Sequence, residues 1–522
     1  MSKAVDIGKV SAKGSFNLLW GLVASTVISA VGTIFVARLL APSEYGIYTI
    51  ALTAPNLISN FTDWGVGQAM VRYIALYNSE GKTDSLRNIV VSGLVFKIIL
   101  SLLLSLVSFF LSASLATVFH RPQIVSLIQI ASLIILAQAF VGIAQGTFIG
   151  IERMELYSVT QIIFSTVKTI LIPALVIIGM GVLGAVMGYT LTSYLSGLTG
   201  LALLWMLYKG FVGSEPHRWK IIASIKTMLK YGLPISISNM LGAFLGQFWS
   251  FLLPIFANDI LIGNYSVANN FVVLVTFFST PITTVMFPAF AKLDGQKDRE
   301  TLKNVYQFSV KYAALLVVPA AFLLMVLSQP AVSILFGYKY TFAPLFLALL
   351  SAGYIITAFG SLSNGNLIMG QGKTKFMLKV SLILSAMGFP IGFILISQFG
   401  VIGLPITSNI VAIPIVIIEL LWLKKNYGAT IDLASSGKII LSSGIAASVT
   451  YSFVYFTAFS SLAKLIIGIV IFVFTFVPAA LLTRALTVAD INNLRGMVPE
   501  IRHFHRLFNF VLNLLEKLVN AL

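Results

Sequence analysis

The sequence predicts an all-α integral membrane protein with about fourteen transmembrane helices. Hydrophobic residues make up 58% of the 522 residues and charged residues only 10%, far fewer charges than a soluble protein of this length needs to cover its surface. The apolar residues also fall in runs of about 20, the length of a helix that crosses a bilayer. Membrane strands would be about 10 residues long and would alternate apolar with polar residues, so the runs favour helices over a barrel.

The apolar runs follow one another along most of the chain and are separated by polar turns. In order, the predicted spans are residues 14–38, 46–70, 88–112, 123–149, 156–178, 182–208, 232–256, 262–288, 304–328, 342–368, 376–397, 400–423, 438–458 and 462–483. The first run is too long for the apolar core of a cleaved signal peptide, so we interpret it as a span.

Basic residues are distributed unevenly between the two sets of turns. If the N-terminus lies inside, the outer turns carry only Arg38, Arg121, Lys339 and Lys464, and inner turns such as "KGFVGSEPHRWK" and "KKNYGATIDLASSGK" hold many of the 34 basic residues. Cytoplasmic loops collect Lys and Arg, so we expect a multi-pass protein of the cytoplasmic membrane with both termini in the cytoplasm. The same rule accounts for the net charge of +17 without a nucleic-acid partner.

The chain contains an internal duplication. Four pairs of segments match in order, about 216 to 219 residues apart: "EYGIYTIA" from 44 with "LIGNYSVA" from 261, "SLRNIV" from 85 with "TLKNVY" from 301, "QGTFIG" from 145 with "NGNLIM" from 364, and "GMGVLGAVMG" from 179 with "QFGVIGLPIT" from 398. Each copy holds an even number of spans, so the copies are parallel repeats with the same topology. Duplicated bundles that share an interface are typical of transporters.

The repeat sets the predicted domain boundaries. These are a cytoplasmic N-terminus (1–13), an N-lobe of six spans (14–208), a cytoplasmic linker (209–231), a C-lobe of six spans (232–424), two further spans (437–484) and a cytoplasmic amphipathic interfacial helix (490–522). The last prediction depends on an apolar stripe at helical spacing in "PEIRHFHRLFNFVLNLLEKLV", which is typical of a helix lying on a membrane surface.

The segment "LAPSEYG" lies in the first predicted outer turn. Pro42, Ser43 and Glu44 indicate a helix start, because proline suits the first helical position and acids suit the first turn. We therefore expect these residues to begin the second span.

A longer stretch, "FVARLLAPSEYGIYTIALTAPNLISNFTDWGVGQAMVRYIA", resembles the N-terminal signature of polysaccharide-export flippases. These are the Wzx-type members of the multidrug/oligosaccharidyl-lipid/polysaccharide (MOP) superfamily. The residues that carry the resemblance are Arg38, Pro42, Tyr45, Gly46, Asp63 and Gly65. The resemblance implies a two-lobed, fourteen-span fold of the MATE type and translocation of a polyprenyl-(pyro)phosphate-linked oligosaccharide or polysaccharide by alternating access. Lipid-linked glycan and membrane lipid would be its partners.

Three lysines within spans are candidates for binding the substrate phosphate. Ionisable groups inside a membrane are costly and are functional candidates by default. Lys97 and Lys168 lie roughly 16 Å into their spans at 1.5 Å per residue, and no acid is near either at that depth in sequence. We expect two unpaired cations in a hydrated cavity that accepts an anion, as lysine does for phosphate. Lys311 is shallower, so snorkelling to the interface is an equal alternative.

Asp63, Arg72 and Arg38 are candidates for gating or coupling. Asp63 could pair with a basic residue at an inner gate or bind a coupling cation, Na⁺ or H⁺; a purely local hydrogen-bond network is the alternative. Arg72 follows it by two turns. For Arg38, capping of the first helix's C-terminus is favoured over an outer phosphate contact.

We expect neither a cofactor nor a metal, and no enzymatic activity. The chain has no cysteine, which excludes thiolate metal sites. Its four histidines are scattered, so we expect no histidine metal cluster. The stretch "GQGKT" from 370 lacks the first glycine of a nucleotide-binding loop because Leu367 occupies that place. Rows of small residues such as Gly142, Gly146 and Gly150 allow close helix packing within one chain, so we expect a monomeric transporter.

Three other functions stay open at this stage. A multidrug or cation exporter of the same superfamily would need acids in its cavity, and the deep lysines disfavour it. A membrane-bound glycan-assembly enzyme would need exposed carboxylates or a sizeable outer domain, and the outer turns contain only Glu44 and Asp259. The third is a scaffold that transports nothing.

Overall fold

The computed structural model describes residues 2–210, 219–295, 297–487 and 490. Over these residues all regular secondary structure is helical, which confirms the predicted class. The helices are α1 (Ser2–Leu39), α2 (Pro42–Ser59), α3 (Val66–Ser79), α4 (Thr83–Phe110), α5 (Ser112–Val118), α6 (Val125–Ser132), α7 (Ile134–Gly150), α8 (Met154–Leu175), α9 (Gly181–Gly210), α10 (Ile221–Phe256), α11 (Asp259–Lys292), α12 (Arg299–Val326), α13 (Ser328–Leu335), α14 (Ala343–Ala352), α15 (Asn364–Gly370), α16 (Thr374–Phe399), α17 (Gly403–Tyr427), α18 (Leu433–Phe456) and α19 (Ser461–Leu482).

Eight helical segments of the described residues are long and apolar enough to cross a membrane, and a ninth is a pair bent by 50°. Two of the eight are 54 residues long, and each of these two contains two of the helices named above, α8 with α9 and α16 with α17. The total of fourteen spans stays a prediction.

Two predicted spans are broken rather than continuous. The predicted span 46–70 divides into α2 and α3, and the predicted span 342–368 divides into α14, a 3₁₀ turn (Gly353–Phe359) and α15. In the first break, Trp64 and Gly65 have φ of 44° and 78°, a left-handed conformation that ends a helix. Hydropathy alone did not reveal these breaks because the residues on both sides are apolar.

The predicted start of the second span is confirmed in detail. Helix α2 begins at Pro42, and the carboxylate of Glu44 accepts a hydrogen bond from the backbone N–H of Ala41 at 2.7 Å. The acid therefore satisfies a backbone donor just before the first turn and complements the positive end of the helix dipole.

The chain divides into two compact units. The first comprises Met1–Phe271, Lys339–Phe342 and Ser381–Val411. In it α1 packs along α8, and α7 and α8 pack against α9. A buried core surrounds α3 and draws side chains from α4, α7, α9 and α10; its members include Met70, Ile74, Ile89, Phe148 and Met228.

The second unit comprises Val272–Tyr338, Ala343–Val380 and Ala412–Leu522. Here α12 packs against α14 and α18, and α18 packs against α19. One buried core joins α12, α15 and α17 through residues such as Tyr306, Leu367 and Leu423. The division into N-lobe, C-lobe and two further spans stays a prediction. Of the predicted interfacial helix, only Asp490 lies among the described residues.

Candidate functional site

A cavity of about 280 Å³ lies in the first unit. Its walls come from α1, α2, α8, α9, α10 and the first turns of α11. The lining is rich in tyrosine, amide and hydroxyl side chains; the tyrosines and amides are Tyr45, Tyr48, Tyr189, Tyr265, Asn56, Gln247, Asn269 and Asn270. Polar side chains inside membrane spans are costly and are functional candidates by default. We therefore take this cavity as the candidate site.

Lys168 projects from α8 and lines this cavity. Its Nζ donates a hydrogen bond to the hydroxyl of Ser29 at 3.2 Å and lies 5.9 Å from the centre of the Tyr189 ring. Among the described residues it forms no ion pair, and it is the one charged side chain on the cavity wall. The ammonium group has three N–H donors, so two are still available for an anion in the cavity.

Two glycines of the repeated motif bring the first turns of α2 and α11 into backbone contact at the predicted outer side. Gly46 and Gly263 occupy equivalent places in "EYGIYTIA" and "LIGNYSVA". A Cβ added to Gly46 would lie 1.9 Å from the carbonyl oxygen of Asp259, and one added to Gly263 would lie 1.9 Å from that of Pro42. Only glycine permits this backbone contact, which explains why both copies of the motif carry it.

An ion pair that we did not predict joins Arg121 to Asp259, the first residue of α11. The Arg121 guanidinium bonds the carboxylate of Asp259 and the carbonyl oxygens of Phe119 and Pro254, and its Nη2 donates to the carbonyl of Ala257 at 2.8 Å. Arg121 thereby satisfies carbonyls at the end of α10 that have no partner within the helix. The sequence offered one signal: Arg121 and Asp259 are opposite charges in outer turns with few charges.

The carbonyl end of α1 is capped by residues 339–342. Lys339 donates to the carbonyls of Arg38 and Leu40 at 2.7 and 2.6 Å, and the Tyr340 hydroxyl donates to the carbonyl of Ala37 at 2.8 Å. Burial lowers the pKa of Lys339, and the charge of Glu44 opposes that shift. Arg38 lies in the last turn of α1 as expected; whether it contacts phosphate stays a prediction.

Lys97 does not match its expected environment. It forms an ion pair with Asp63, and it is not among the residues that line the cavity. The expectation of an unpaired cation here is therefore wrong, because packing brings α4 beside the break between α2 and α3. Asp63 Oδ1 also accepts the backbone N–H of Gly67 at 2.9 Å, so the carboxylate caps α3 and balances the lysine.

Arg72 lies further along α3, near the start of α10. Its guanidinium is 4.2 Å from the centre of the Tyr231 ring, a cation–π contact. Gly65, seven residues before Arg72, and Gly232, next to Tyr231, form a second backbone contact. A Cβ added to Gly65 would lie 2.1 Å from the carbonyl oxygen of Gly232, and one added to Gly232 would lie 2.2 Å from that of Gly65. These contacts join the predicted inner halves of two spans, one from each repeat.

Lys311 belongs to the second unit and is also paired. Its Nζ lies 2.7 Å from the Asp490 carboxylate, whose side chain is 3% exposed. Asp490 also accepts the hydroxyl of Thr487 at 2.6 Å. The expected place of Lys311 in a phosphate-binding cavity does not agree with this geometry, since a buried acid neutralises it. The sequence could not reveal the pair because its members are 179 residues apart.

One buried acid, Glu419 on α17, was not among the predicted site residues. It is 6% exposed and faces the side-chain amide of Asn364. Asn364 Oδ1 accepts the Tyr306 hydroxyl at 2.6 Å, and Asn364 Nδ2 completes no hydrogen bond of normal geometry. No Lys or Arg in the described parts of the chain forms an ion pair with Glu419. Its signal was a single carboxylate within an apolar run.

No group of three or more His, Asp or Glu side chains in the described ranges is placed to hold a metal ion. The candidate site is a polar cavity, and Lys168 is the one charged side chain among the described residues that line it. Such an arrangement can bind a headgroup that carries negative charge and hydroxyls, and the two glycine contacts are places where helices could separate.

Comparison with known proteins adds the family context. A family described as "Polysaccharide biosynthesis protein" matches residues 35–344. The chain is 22% identical to the "Probable low-salt glycan biosynthesis flippase Agl15" of Haloferax volcanii over 503 residues, which cover 94% of this chain and 99% of that protein.

Solved structures show the same fold. The lipid II flippase MurJ in its inward closed conformation has a TM-score of 0.72, with 16% identity over 90% of this chain and 98% of that one. An inward-facing multidrug resistance MATE family transporter of the MOP superfamily has a TM-score of 0.60, with 19% identity over 78% of this chain and 95% of that one. At these identities the likeness establishes the MATE/MOP-type fold.

Proposed function

Because the chain belongs to the polysaccharide biosynthesis protein family, we propose that it is a flippase for lipid-linked glycans. It translocates a polyprenyl-(pyro)phosphate-linked glycan across the cytoplasmic membrane by alternating access. The chain performs transport and no covalent chemistry. The relative named as a glycan biosynthesis flippase, which this chain matches over nearly its full length, supports the proposal.

The observation that carries the proposal is the environment of Lys168. A lone ammonium group in a membrane cavity is costly unless an anion compensates it. The neighbouring amides, hydroxyls and tyrosine rings provide hydrogen bonds and apolar faces for a sugar. The cavity therefore has a partner for the phosphate and partners for the glycan in one place.

The gates of this transporter are the two glycine contacts. Gly46–Gly263, with the Arg121–Asp259 pair, closes the outer side; Gly65–Gly232, with Asp63–Lys97 and Arg72, closes the inner side. Each contact joins a helix of the predicted N-lobe to a helix of the predicted C-lobe. Alternate separation of the two contacts would expose the cavity to one leaflet at a time.

The transporter is a monomer with both termini in the cytoplasm, and an ion gradient, the membrane potential or substrate flux drives it. Where an ion gradient drives it, the coupling ion is H⁺ or Na⁺. Asp63 is one candidate carrier, as an acid beside the inner contact, and Glu419 is the other, as a buried acid without an ion pair among the described residues. Intramembrane carboxylates are the groups that proton relays use.

Two other functions receive less support. A cation exporter requires carboxylates in its cavity, and the described residues that line it include none. A glycan-assembly enzyme requires an acid or nucleophile facing the substrate, and the cavity wall offers amides, hydroxyls and one lysine.

The proposal is tested by reconstituting the full chain in vesicles with a polyprenyl phosphate that carries a fluorescent N-acetylglucosamine. We expect wild type to move the label between leaflets and Lys168→Met to do so at least about tenfold more slowly, the equivalent of about 1.4 kcal/mol. The matched control Lys375→Met removes an exposed lysine at the start of α16 and should leave the rate unchanged. Equal rates for wild type and protein-free vesicles would refute flipping.

A further inference from the structure

The number of charged side chains that line the cavity indicates which lipid–glycan linkage it binds; this inference rests on the proposed function. Among the described residues that line it, Lys168 contributes one positive charge and no residue contributes a negative one. Two other cations of the first unit are paired with acids, Lys97 with Asp63 and Arg121 with Asp259, and neither lines the cavity. The cavity therefore offers an anion one unit of compensating charge.

The two common lipid–glycan linkages differ by one charge. A phosphodiester between polyprenol and sugar carries one negative charge at neutral pH, and a diphosphate bridge carries two. An uncompensated charge in a poorly solvated site is strongly unfavourable. Amides and hydroxyls can donate hydrogen bonds to the extra oxygens, but they supply no net charge.

Lys168 donates a hydrogen bond to the Ser29 hydroxyl and lies beside the Tyr189 ring. Gln247 lines the same cavity from α10. The volume of about 280 Å³ is near the lower end of ligand pockets, about 300–1,000 Å³. The polar lining of the cavity can bind a phosphate together with the adjoining sugar.

We propose that the cavity selects glycans joined to the polyprenyl carrier by a single phosphate over those joined by a diphosphate. Lys168 balances the one charge of the phosphodiester, and the uncharged polar lining binds the adjoining sugar. The selectivity arises from the number of cations on the wall, so a second cation should shift it toward the diphosphate.

The test measures binding of two probes to the purified full-length protein in detergent. The probes are polyprenyl-phosphate and polyprenyl-diphosphate N-acetylglucosamine with the same lipid chain. Binding of each probe is measured by the change in the protein's tryptophan fluorescence. We expect wild type to bind the monophosphate probe at least about tenfold more tightly, the ratio equivalent to about 1.4 kcal/mol. Equal affinities, or tighter binding of the diphosphate probe, would overturn the proposal.

Two variants make the test independent of a folding defect. Gln247→Lys adds a second cation to the cavity and should strengthen diphosphate binding at least about tenfold. Gln329→Lys adds the same charge at an exposed position of α13 outside this cavity and should leave the ratio of affinities unchanged. A ratio that Gln247→Lys does not move, or that Gln329→Lys moves equally, would count against charge matching at this site.

Two further measurements are needed. The first distinguishes a lipid headgroup from free phosphate, and the second distinguishes failure of the selectivity from failure of the proposed flippase function. Inorganic phosphate should compete weakly; displacement of the lipid probe at equal concentrations would assign the site to free phosphate and contradict a headgroup site. In the vesicle assay, equal translocation of both probes would remove the selectivity while preserving the flippase. Translocation of neither probe, together with selective binding in detergent, would refute the flippase while preserving the selectivity.

Discussion

Among single residues, the environment of each intramembrane charge decides what it can do. The three candidate lysines share a residue type and a predicted membrane location, but only Lys168 lines the cavity. Lys97 and Lys311 each have a carboxylate partner, and a paired lysine has no charge left to attract phosphate. Removing one member of such a pair would leave the other uncompensated, at a cost of about 3–5 kcal/mol when the pair is buried.

A second prediction about a single residue concerns Glu419. Because a buried carboxylate without an ion pair is most easily accommodated by taking up a proton, we expect Glu419→Gln to abolish the response of transport to an imposed pH gradient. Transport without a gradient should continue, since glutamine preserves the shape. The measurement is label movement in vesicles with and without the gradient. Glu155→Gln, at a predicted cytoplasmic turn, is the control and should still respond to the pH gradient. If transport by Glu419→Gln also still responds to the gradient, Glu419 is not the proton carrier.

Among helices, the glycine contacts explain features that no single residue could. The motif repeated in both halves places a glycine in the first turns of α2 and α11, and these glycines meet each other. At the inner side, the break between α2 and α3 leaves Gly65 against Gly232. Close backbone contacts of this kind hold helices together by van der Waals packing, and an ion pair lies beside each of the two contacts.

Gly46→Ala tests the outer contact. Its Cβ would lie 1.9 Å from the Asp259 carbonyl oxygen, so α2 and α11 could not close and the cavity should stay open to the outer side. Since the chain has no cysteine, a single Thr49→Cys in the cavity wall reports access. We expect an impermeant maleimide added outside to label Thr49→Cys at least about tenfold faster with Gly46→Ala.

The control for that experiment lies on another helix. A Cβ added to Gly242 of α10 meets nothing within 4 Å, so Gly242→Ala should leave labelling unchanged and add up to about 1 kcal/mol of helix stability. Labelling that does not differ between the two alanine variants would contradict the assigned gate.

For the whole molecule, orientation is the main property that needs measurement. The positive-inside rule predicts that Ser43 faces outward and Gly81 faces the cytoplasm. In intact cells, we expect Ser43→Cys to react with an impermeant maleimide and Gly81→Cys to react only after the membrane is opened. The opposite labelling would invert the gates assigned above and the direction of transport.

Much of the fold, but only part of the candidate site, was predictable from the sequence. Apolar runs identified helices because a bilayer requires about 20 apolar residues per crossing, and Pro42 with Glu44 identified a helix start. The breaks at Gly65 and at Gly360, which follows the 3₁₀ turn, were not predicted, since their left-handed backbones (φ of 78° and 84°) leave little trace in hydropathy. Lys168 was found because a charge stands out in an apolar run; Glu419 gave the same signal and was overlooked.

The sequence by itself determined the class, the duplication and the residues that a membrane would not normally tolerate. Only the tertiary structure decided which of those residues are partners: Arg121 with Asp259, 138 residues away, and Lys97 with Asp63. The physical reason is that hydropathy reports the contact of each residue with lipid or water. Which helix lies beside which depends on packing between distant segments, and that packing left Lys168 as the one charged side chain among the described residues that line the cavity.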